Sequence, residues 1–300
     1  MVVKAAVVQA EPEWLDLQAS IRKTCRFIQD AANEGAQIIA FSELWVPGYP
    51  GWILSRPMDP VLNVEFVKNS LVVDSPEMEA IRKCAADNEM VVCLGFSERS
   101  GGTLYIAQCT INSDGSLLVA RRKLKPIHME RTVFGDGHGP SLRNVAQTPV
   151  GRVGALSCGV REEIHVAAWP PVMPHPGGKH SYSMSQEAVE AASRIYSVES
   201  QTFTLHSTTV ISEKGINKLG TAHGMVFDAP GGGASAIFAP DGRKLTKDLP
   251  LTEEGIVYAH LDFDHQIKEK SLLDCCGHCS RPDLLWLVSN MEEQKSVRSA

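Results

Sequence analysis

The sequence predicts an α/β protein built on a mixed β-sheet, and three observations carry that prediction. Short apolar runs alternate with amphipathic segments of helical period, beginning with residues 2–9 and the helix that follows them. The turn sequence NSDG at residues 112–115 joins two apolar runs as a hairpin, which mixes strand directions in the sheet. Glu43 and Cys158 each stand at the end of a predicted strand, where open α/β sheets usually place their chemistry.

The first half of the chain alternates between strands and helices. Gly35 stops a helix whose apolar residues recur at helical spacing, namely Leu17, Ile21, Cys25, Ile28 and Ala31. A second strand at 37–41 leads into a loop that Pro47, Gly48 and Pro50 force on the chain. The further predicted elements are a helix at 77–88, a strand at 90–96 and hairpin strands at 105–111 and 117–123.

The second half continues the alternation. Its predicted strands lie at 153–158, 164–169, 202–211, 234–239 and 255–261, and a helix follows at 264–273. Another helix carries Ala188, Ala191, Ile195 and Val198 on one apolar face, the face that such a helix turns to the core. We expect one domain over residues 1–290 and a loose polar tail at 291–300.

Composition limits the classes of function. The 300 residues carry a net charge of -6, with 43% hydrophobic and 21% charged residues, as an ordinary globular protein does. No polybasic surface favours nucleic acid or anionic lipid, and no apolar run is long enough to span a bilayer. The start of the chain also lacks the pattern of a signal peptide. We therefore expect a cytoplasmic protein that acts on a small molecule, without nucleic-acid or membrane partners.

Cofactor signals are weak throughout the chain. Residues 275–279 (CCGHC) resemble half of a zinc site, but no second pair of ligands accompanies them at zinc-finger spacing, so a structural interpretation is favoured. The glycine-rich stretches at 177–179 and 231–233 lack the pattern of a phosphate-binding loop. We expect no metal ion, nucleotide or organic cofactor.

Catalysis by a nucleophilic cysteine is better supported by the sequence than any cofactor site. A thiol becomes a strong nucleophile as the thiolate, so Cys158 requires a nearby base and a stabilising positive charge. Glu43 at another strand end is a candidate base, and Lys123 in the basic run 121–125 is a candidate cation. Taken alone, that basic run is more typical of a solvated sheet edge.

Three segments together resemble the nitrilase branch of the carbon–nitrogen hydrolase superfamily, with fungal nitrilases as the most similar subgroup. They are residues 41–50 (FSELWVPGYP), 121–132 (RRKLKPIHMERT) and 151–158 (GRVGALSC). The resemblance implies that Glu43, Lys123 and Cys158 are catalytic and that Glu130 positions the reacting groups. It also makes Tyr49 and Trp169 candidate substrate contacts, and the amide of Gly159 a candidate donor to the reacting nitrogen or oxygen.

The same resemblance implies a fold and an activity. The expected fold is a four-layered αββα sandwich, and the expected reaction converts a nitrile to a carboxylic acid and ammonia through a thioimidate and an acyl thioester. No cofactor is implied. Relatives commonly form homodimers that extend into spiral homo-oligomers, so we expect the same here.

One stretch departs from the family pattern. In relatives a segment that contains a helix follows the nucleophile, whereas here only residues 159–163 separate Cys158 from the next strand. A crossover between parallel strands needs about a dozen residues, and five extended residues span only ~17 Å. We therefore expect that the strand from Ile164 cannot simply lie parallel beside the strand before it. Either the chain turns back, or the turn that should present Cys158 and the amide of residue 159 is displaced. A smaller departure is Cys279, where relatives usually carry Tyr.

Three functions remain open at this point. The first is a nitrilase that releases acid and ammonia. The second is a hydratase of nitriles or cyanide, or an amidase, which would use the same three residues. The third is a catalytically impaired relative, such as a truncated form, that acts only through oligomerisation.

Overall fold

Two mixed β-sheets face each other and form the centre of the molecule. The computed structural model describes residues 1–155, 161–177, 181–224, 226–286 and 288–292. The first sheet contains β1 (Val2–Gln9), β2 (Ile38–Ala40), β3 (Val91–Ser100), β4 (Thr103–Ile111), β5 (Leu117–Arg122) and β11 (Gly255–Asp262), in the order β11-β1-β2-β3-β4-β5. The second contains β6 (Ala146–Thr148), β7 (Gly151–Gly154), β8 (Ile164–Ala168), β9 (Phe203–Ser207) and β10 (Ala236–Phe238), in the order β10-β9-β8-β7-β6.

Helices cover the outer face of each sheet. The α-helices are α1 (Leu17–Asn33), α2 (Pro60–Asn69), α3 (Pro76–Asp87), α4 (Gln186–Ser200), α5 (Glu213–Leu219) and α6 (Phe263–Leu272). α1 and α3 pack their apolar residues on the first sheet, and α4 lies against β9 of the second. The resulting order of layers confirms the expected αββα sandwich. No helix among the described residues is long and apolar enough to cross a membrane.

The core between the sheets explains why the inner strands are so apolar. β1 contributes Val3, Ala5 and Val7 to this core, and the facing strands contribute residues such as Phe203 and Leu205. Each of these side chains is at most 1% exposed. Since burying a large apolar side chain contributes about 1.5–3 kcal/mol, this contact fixes how the sheets face each other.

The expectation that the apolar face of α4 packs on the core is wrong. Ile195 and Val198 are 56% and 40% exposed, whereas the buried face carries Val189, Ser193 and Ser197. The reason lies in the sheet, whose outer face here is polar: Ser193 Oγ lies 2.8 Å from His206 Nδ1, and Ser197 Oγ donates to Thr204 Oγ1 at 2.7 Å. Hydrogen bonding of buried polar groups, and not apolar periodicity, therefore sets the orientation of this helix.

The expectation for the strand from Ile164 is also wrong, because β7 and β8 are parallel neighbours. Their register pairs Val153 with Ile164 and Gly154 with His165. β7 ends at Gly154, so nine residues join the strands, and β8 begins beside the carboxyl end of β7. The chain does not travel back along a whole strand, and so it does not need a full crossover.

Two further predictions fall partly outside the described residues. The predicted strand end at Cys158 lies in the segment 156–160, which the structure does not describe. Of the predicted polar tail, residues 293–300 are likewise outside the described part.

Candidate active site

Glu43 is held just beyond β2 by contacts from both sheets. Its backbone N–H donates to the carbonyl oxygen of Trp169, which follows β8, at 3.3 Å. The preceding Ser42 lies so close to Gly95 of β3 that a Cβ on residue 95 would overlap the Ser42 carbonyl oxygen. Gly95 therefore permits the close approach of the two chains that places Glu43 at the edge of the first sheet.

Lys123 directly follows β5 and joins two carboxylates. Its backbone N–H donates to the Ile106 carbonyl oxygen at 2.7 Å, and its carbonyl oxygen accepts from Gly137 N–H at 2.9 Å. Its Nζ donates to Glu43 Oε1 at 3.0 Å and to both carboxylate oxygens of Glu130, at 3.1 and 3.0 Å. The extension of β5 thus determines where the ammonium lies.

Glu130 is fixed by hydrogen bonds from one backbone amide and two side chains. It belongs to a short 3-10 turn, His128–Thr132, and is 4% exposed. Its Oε2 accepts from Ile127 N–H at 2.9 Å, and its Oε1 accepts from the Tyr49 hydroxyl at 3.1 Å. Because charge-assisted hydrogen bonds are strong and directional, Glu130 holds Lys123 in one orientation toward Glu43.

Burial dominates the electrostatics of this cluster. It raises the pKa of Glu43, an effect that Lys123 opposes and the like charge of Glu130 reinforces. Burial lowers the pKa of Lys123, but the two carboxylates outweigh it, so the net pKa lies above the usual 10.5. Burial, assisted by Glu130, raises the pKa of Tyr49 well above its usual value. At neutral pH the site therefore holds an ammonium, a neutral hydroxyl and a carboxyl group suited to proton transfer.

The two sequence-predicted residues of the nucleophile segment, Cys158 and Gly159, lie outside the described residues. The last described residue before them is Ala155. Its N–H donates to Asn144 Oδ1 at 3.2 Å, and its carbonyl oxygen accepts from Arg121 Nη2 at 2.8 Å.

Trp169 reaches the site through its backbone. Its indole N–H donates to Ser193 Oγ in α4 at 3.2 Å, and its ring centroid lies 6.2 Å from that of His206. The structure thus brings Glu43, Lys123, Glu130 and Tyr49 together, while the indole N–H of Trp169 bonds elsewhere. A substrate contact of this side chain stays a prediction.

Arg121 and Asn144 are the residues near the site that the sequence did not single out. The interpretation of run 121–125 as a solvated edge is wrong for its first residue, since the Nε atom of Arg121 is buried. Alternation along β5 was the available signal, because Arg121 and Lys123 point to the same side of a strand.

One group among the described residues could hold a metal ion, and it is not part of this site. Asp241, His265 and Glu269 bring their ligand atoms within 4.8 Å of one another. Arg243 Nε already donates to Asp241 Oδ2 at 2.6 Å, which places a competing positive charge there. The CCGHC residues at 275–279 do not form such a group within the described part of the chain.

Comparison with known proteins identifies the family. The sequence profile of the family described as carbon–nitrogen hydrolase matches residues 4–267. The chain belongs to the carbon–nitrogen hydrolase family. An arylacetonitrilase of Hypocrea virens is 54% identical over 310 positions, covering 99% of this chain and 94% of the relative. Arylacetonitrilases of Aspergillus niger and Aspergillus kawachii are 52% and 51% identical over 309 positions, with the same coverage.

These alignments are longer than the chain. A match over 309 positions, against a chain of 300 residues, leaves at least nine residues of the relative without a counterpart here. Solved structures share the fold at low identity. A carbon–nitrogen hydrolase from Helicobacter pylori G27 has a TM-score of 0.72 at 17% identity, covering 94% of this chain and 97% of its own. An amidase from Nesterenkonia sp. AN1 has a TM-score of 0.64 at 16% identity, covering 90% and 96%.

Proposed function

We propose that the protein is a nitrilase that converts a nitrile to a carboxylic acid and ammonia. The observation that carries the proposal is the Lys123 ammonium held 3.0 Å from Glu43 and 3.0 Å from Glu130 at the edge of the first sheet. The full-length similarity to fungal arylacetonitrilases supports the same reaction. A buried base beside a fixed cation is what addition of a thiolate to a nitrile requires.

The proposed reaction has two stages. In the first, Glu43 accepts the thiol proton of Cys158, and sulfur adds to the nitrile carbon to give a thioimidate, while Lys123 stabilises the charge that develops on nitrogen. In the second, Glu43 activates water, ammonia leaves, and a second water releases the acid from the acyl thioester. Two water molecules are consumed for each acid and ammonia formed.

The remaining site residues have supporting roles in this proposal. Glu130 positions Lys123, and Tyr49 supports Glu130 by donating a hydrogen bond to it. The backbone amide of Gly159 donates to the charged intermediate, and Trp169 contacts the substrate. These last two roles rest on the resemblance alone.

We further propose an aryl-bearing nitrile as substrate. Aromatic rings are concentrated beside Tyr49: its centroid lies 5.8 Å from that of Phe227, and Trp52 and Phe66 pack edge to face at 5.5 Å. These four rings are at most 6% exposed, so they form packed apolar support beside the site and not open contact surface. The names of the relatives point to the same substrate class.

A product assay tests the function directly. The purified chain is incubated with arylacetonitriles, aliphatic nitriles and cyanide, while acid, ammonia and amide are measured. Acid and ammonia support the proposal, amide alone identifies a hydratase, and no turnover of any substrate indicates an impaired relative. The matched control is Cys158→Ala, which must abolish any turnover, because otherwise the nucleophile is wrongly assigned.

We also propose a homo-oligomer that acts in the cytoplasm. Ile195 and Val198 form an exposed apolar face on α4, and a second exposed apolar stretch follows α6, with Leu284, Leu285, Trp286 and Val288 at 60–83% exposure. Surfaces of this kind mark protein contacts. The seven described cysteines are free thiols, which fits a reducing compartment. Sedimentation velocity of the purified chain checks the assembly, and a monomer at all concentrations would refute it.

A further inference from the structure

Ala155, the last described residue before the nucleophile, is held by side chains from outside β7. Ala155, three residues before Cys158, has both of its backbone polar groups bound by side chains. Asn144 Oδ1 accepts from its N–H at 3.2 Å, and Arg121 Nη2 donates to its carbonyl oxygen at 2.8 Å. One residue comes from the segment before β6 and the other from β5 of the opposite sheet. The strand end is therefore tied to the sheet that carries Lys123.

We propose that Arg121 and Asn144 are positioning residues that hold the Ala155 peptide groups and so place Cys158 against Glu43 and Lys123. This inference rests on the proposed function and adds two residues to it. Neither side chain is assigned a role by the three family motifs, and both act through Ala155.

The described contacts at both ends of the connection favour such anchoring. β7 and β8 share only two register pairs, so few ladder contacts between them hold the strand end at Gly154. A polar cluster holds the far end of the connection, where Glu162 is 2% exposed and its Oε1 accepts from the Tyr196 hydroxyl and lies 3.0 Å from His165 Nδ1. Arg121 and Asn144 provide the corresponding hold at the near end.

Arg121 is itself held in place. Its Nη2 also donates to Gln108 Oε1 at 2.7 Å, so the guanidinium lies between β4 and Ala155. Burial lowers its pKa to about 10, an effect opposed by Glu43 and Glu162, so the group is charged at neutral pH. Its charge therefore adds to that of Lys123 beside the Glu43 carboxyl group.

Four variants separate the geometry from the charge. Arg121→Lys keeps the charge but loses the planar fork, Asn144→Ala removes only the contact to the Ala155 N–H, and Arg121→Gln removes both fork and charge. The matched control is Arg122→Lys, the same change one residue along β5, where the guanidinium instead binds Glu98 at 2.6 and 2.7 Å. Thermal unfolding of each variant reports whether it is folded.

We expect lower kcat/KM in the positioning variants because their nucleophile would be displaced. Arg121→Lys and Asn144→Ala should each lower kcat/KM by about tenfold to a hundredfold relative to Arg122→Lys, because a ~1 Å misplacement costs that much. The kcat/KM of Arg121→Gln should fall at least as far. This substitution should also move the acid limb of kcat/KM to higher pH, since Lys123 and Glu130 would then be the charged groups left facing Glu43. Arg121→Lys and Asn144→Ala should leave that limb in place.

A second readout does not depend on turnover. The rate of alkylation of Cys158 by iodoacetamide, followed on its peptide by mass spectrometry, should fall in Arg121→Lys and Asn144→Ala but not in Arg122→Lys. If the wild-type chain hydrolyses no nitrile, the proposed function fails and this readout still decides the positioning role. If both variants match Arg122→Lys in kcat/KM and in alkylation, the positioning role is refuted.

Discussion

The two halves of the proposed active site are built in different ways. Glu43, Lys123 and Glu130 sit at the edge of a six-stranded sheet whose β3–β4 ladder runs continuously from Val92 to Ser100, and Lys123 bonds both carboxylates directly. The nucleophile segment instead follows β7, which has four residues and pairs with β8 at two positions. Glu43, Lys123 and Glu130 are thus held close to the strands that carry them, whereas Ala155, the last described residue before Cys158, is held by side chains from elsewhere.

This contrast teaches why a shortened connection is compatible with the fold. The register sets β8 beside the end of β7, so nine residues suffice to join the two parallel strands. On either side of residues 156–160, polar contacts hold Ala155 and Glu162.

The largest effect should come from removing the ammonium. Lys123→Met should lower kcat/KM by about 10²–10³-fold or more, because two buried carboxyl groups lose their common partner and the developing charge loses its donor. The matched control is Lys125→Met in the same basic run, whose exposed contact to Asp136 should matter little. Retention of more than a tenth of the activity by Lys123→Met would refute its catalytic role.

The pH dependence tests the acid–base half next. The base works when ionised, and the pKa of Glu43 is raised above its usual 4.5, so kcat/KM should rise with pH through a midpoint above 4.5. Below that midpoint the rate should fall about tenfold per pH unit. The pKa of Lys123 is raised above 10.5, so Lys123 should cause no loss of activity below that pH. A midpoint below 4.5 would contradict the burial of Glu43.

Adding a methyl group at Gly154 tests the packing beside the nucleophile segment. A Cβ on Gly154 would overlap Glu162 Oε2, and Glu162 cannot swing away because Tyr196 and His165 hold it. Gly154→Ala should therefore lower the free energy of unfolding by roughly 1–3 kcal/mol. The penalty should shrink in a Glu162→Ala background, and an equal penalty in both backgrounds would argue against the contact.

The smallest expected effect is a difference in stability between substitutions on the two faces of α4. Ser193→Ala removes the hydroxyl shared by Trp169 and His206 and should cost about 1 kcal/mol in urea unfolding. Ile195→Ser on the exposed face should change stability by less than about 0.5 kcal/mol in the dissociated chain. If Ile195→Ser cost more stability than Ser193→Ala, the apolar face of α4 would be the buried one, as the sequence predicts.

These cases show what sequence patterns can and cannot predict. The acid–base residues were predictable because motifs fix residue types at the ends of strands, and the structure brings Glu43, Lys123 and Glu130 together. The parallel pairing of β7 and β8 was not, because the apolar run gives no sign that β7 ends at Gly154 and so leaves nine residues for the connection. Arg121 was missed because its partner, the Ala155 carbonyl oxygen, is a backbone atom that no side-chain pattern records.

The central claim is that Cys158 reacts as the nucleophile of a nitrilase despite the short connection that follows it. The most direct test is to mix the enzyme with an arylacetonitrile, quench in acid within the first turnovers, and measure the mass of the Cys158 peptide. We expect a thioimidate or acyl adduct on that peptide, absent in Lys123→Met at the same reaction time. A folded wild-type chain that forms acid or amide without any adduct at Cys158 would contradict it.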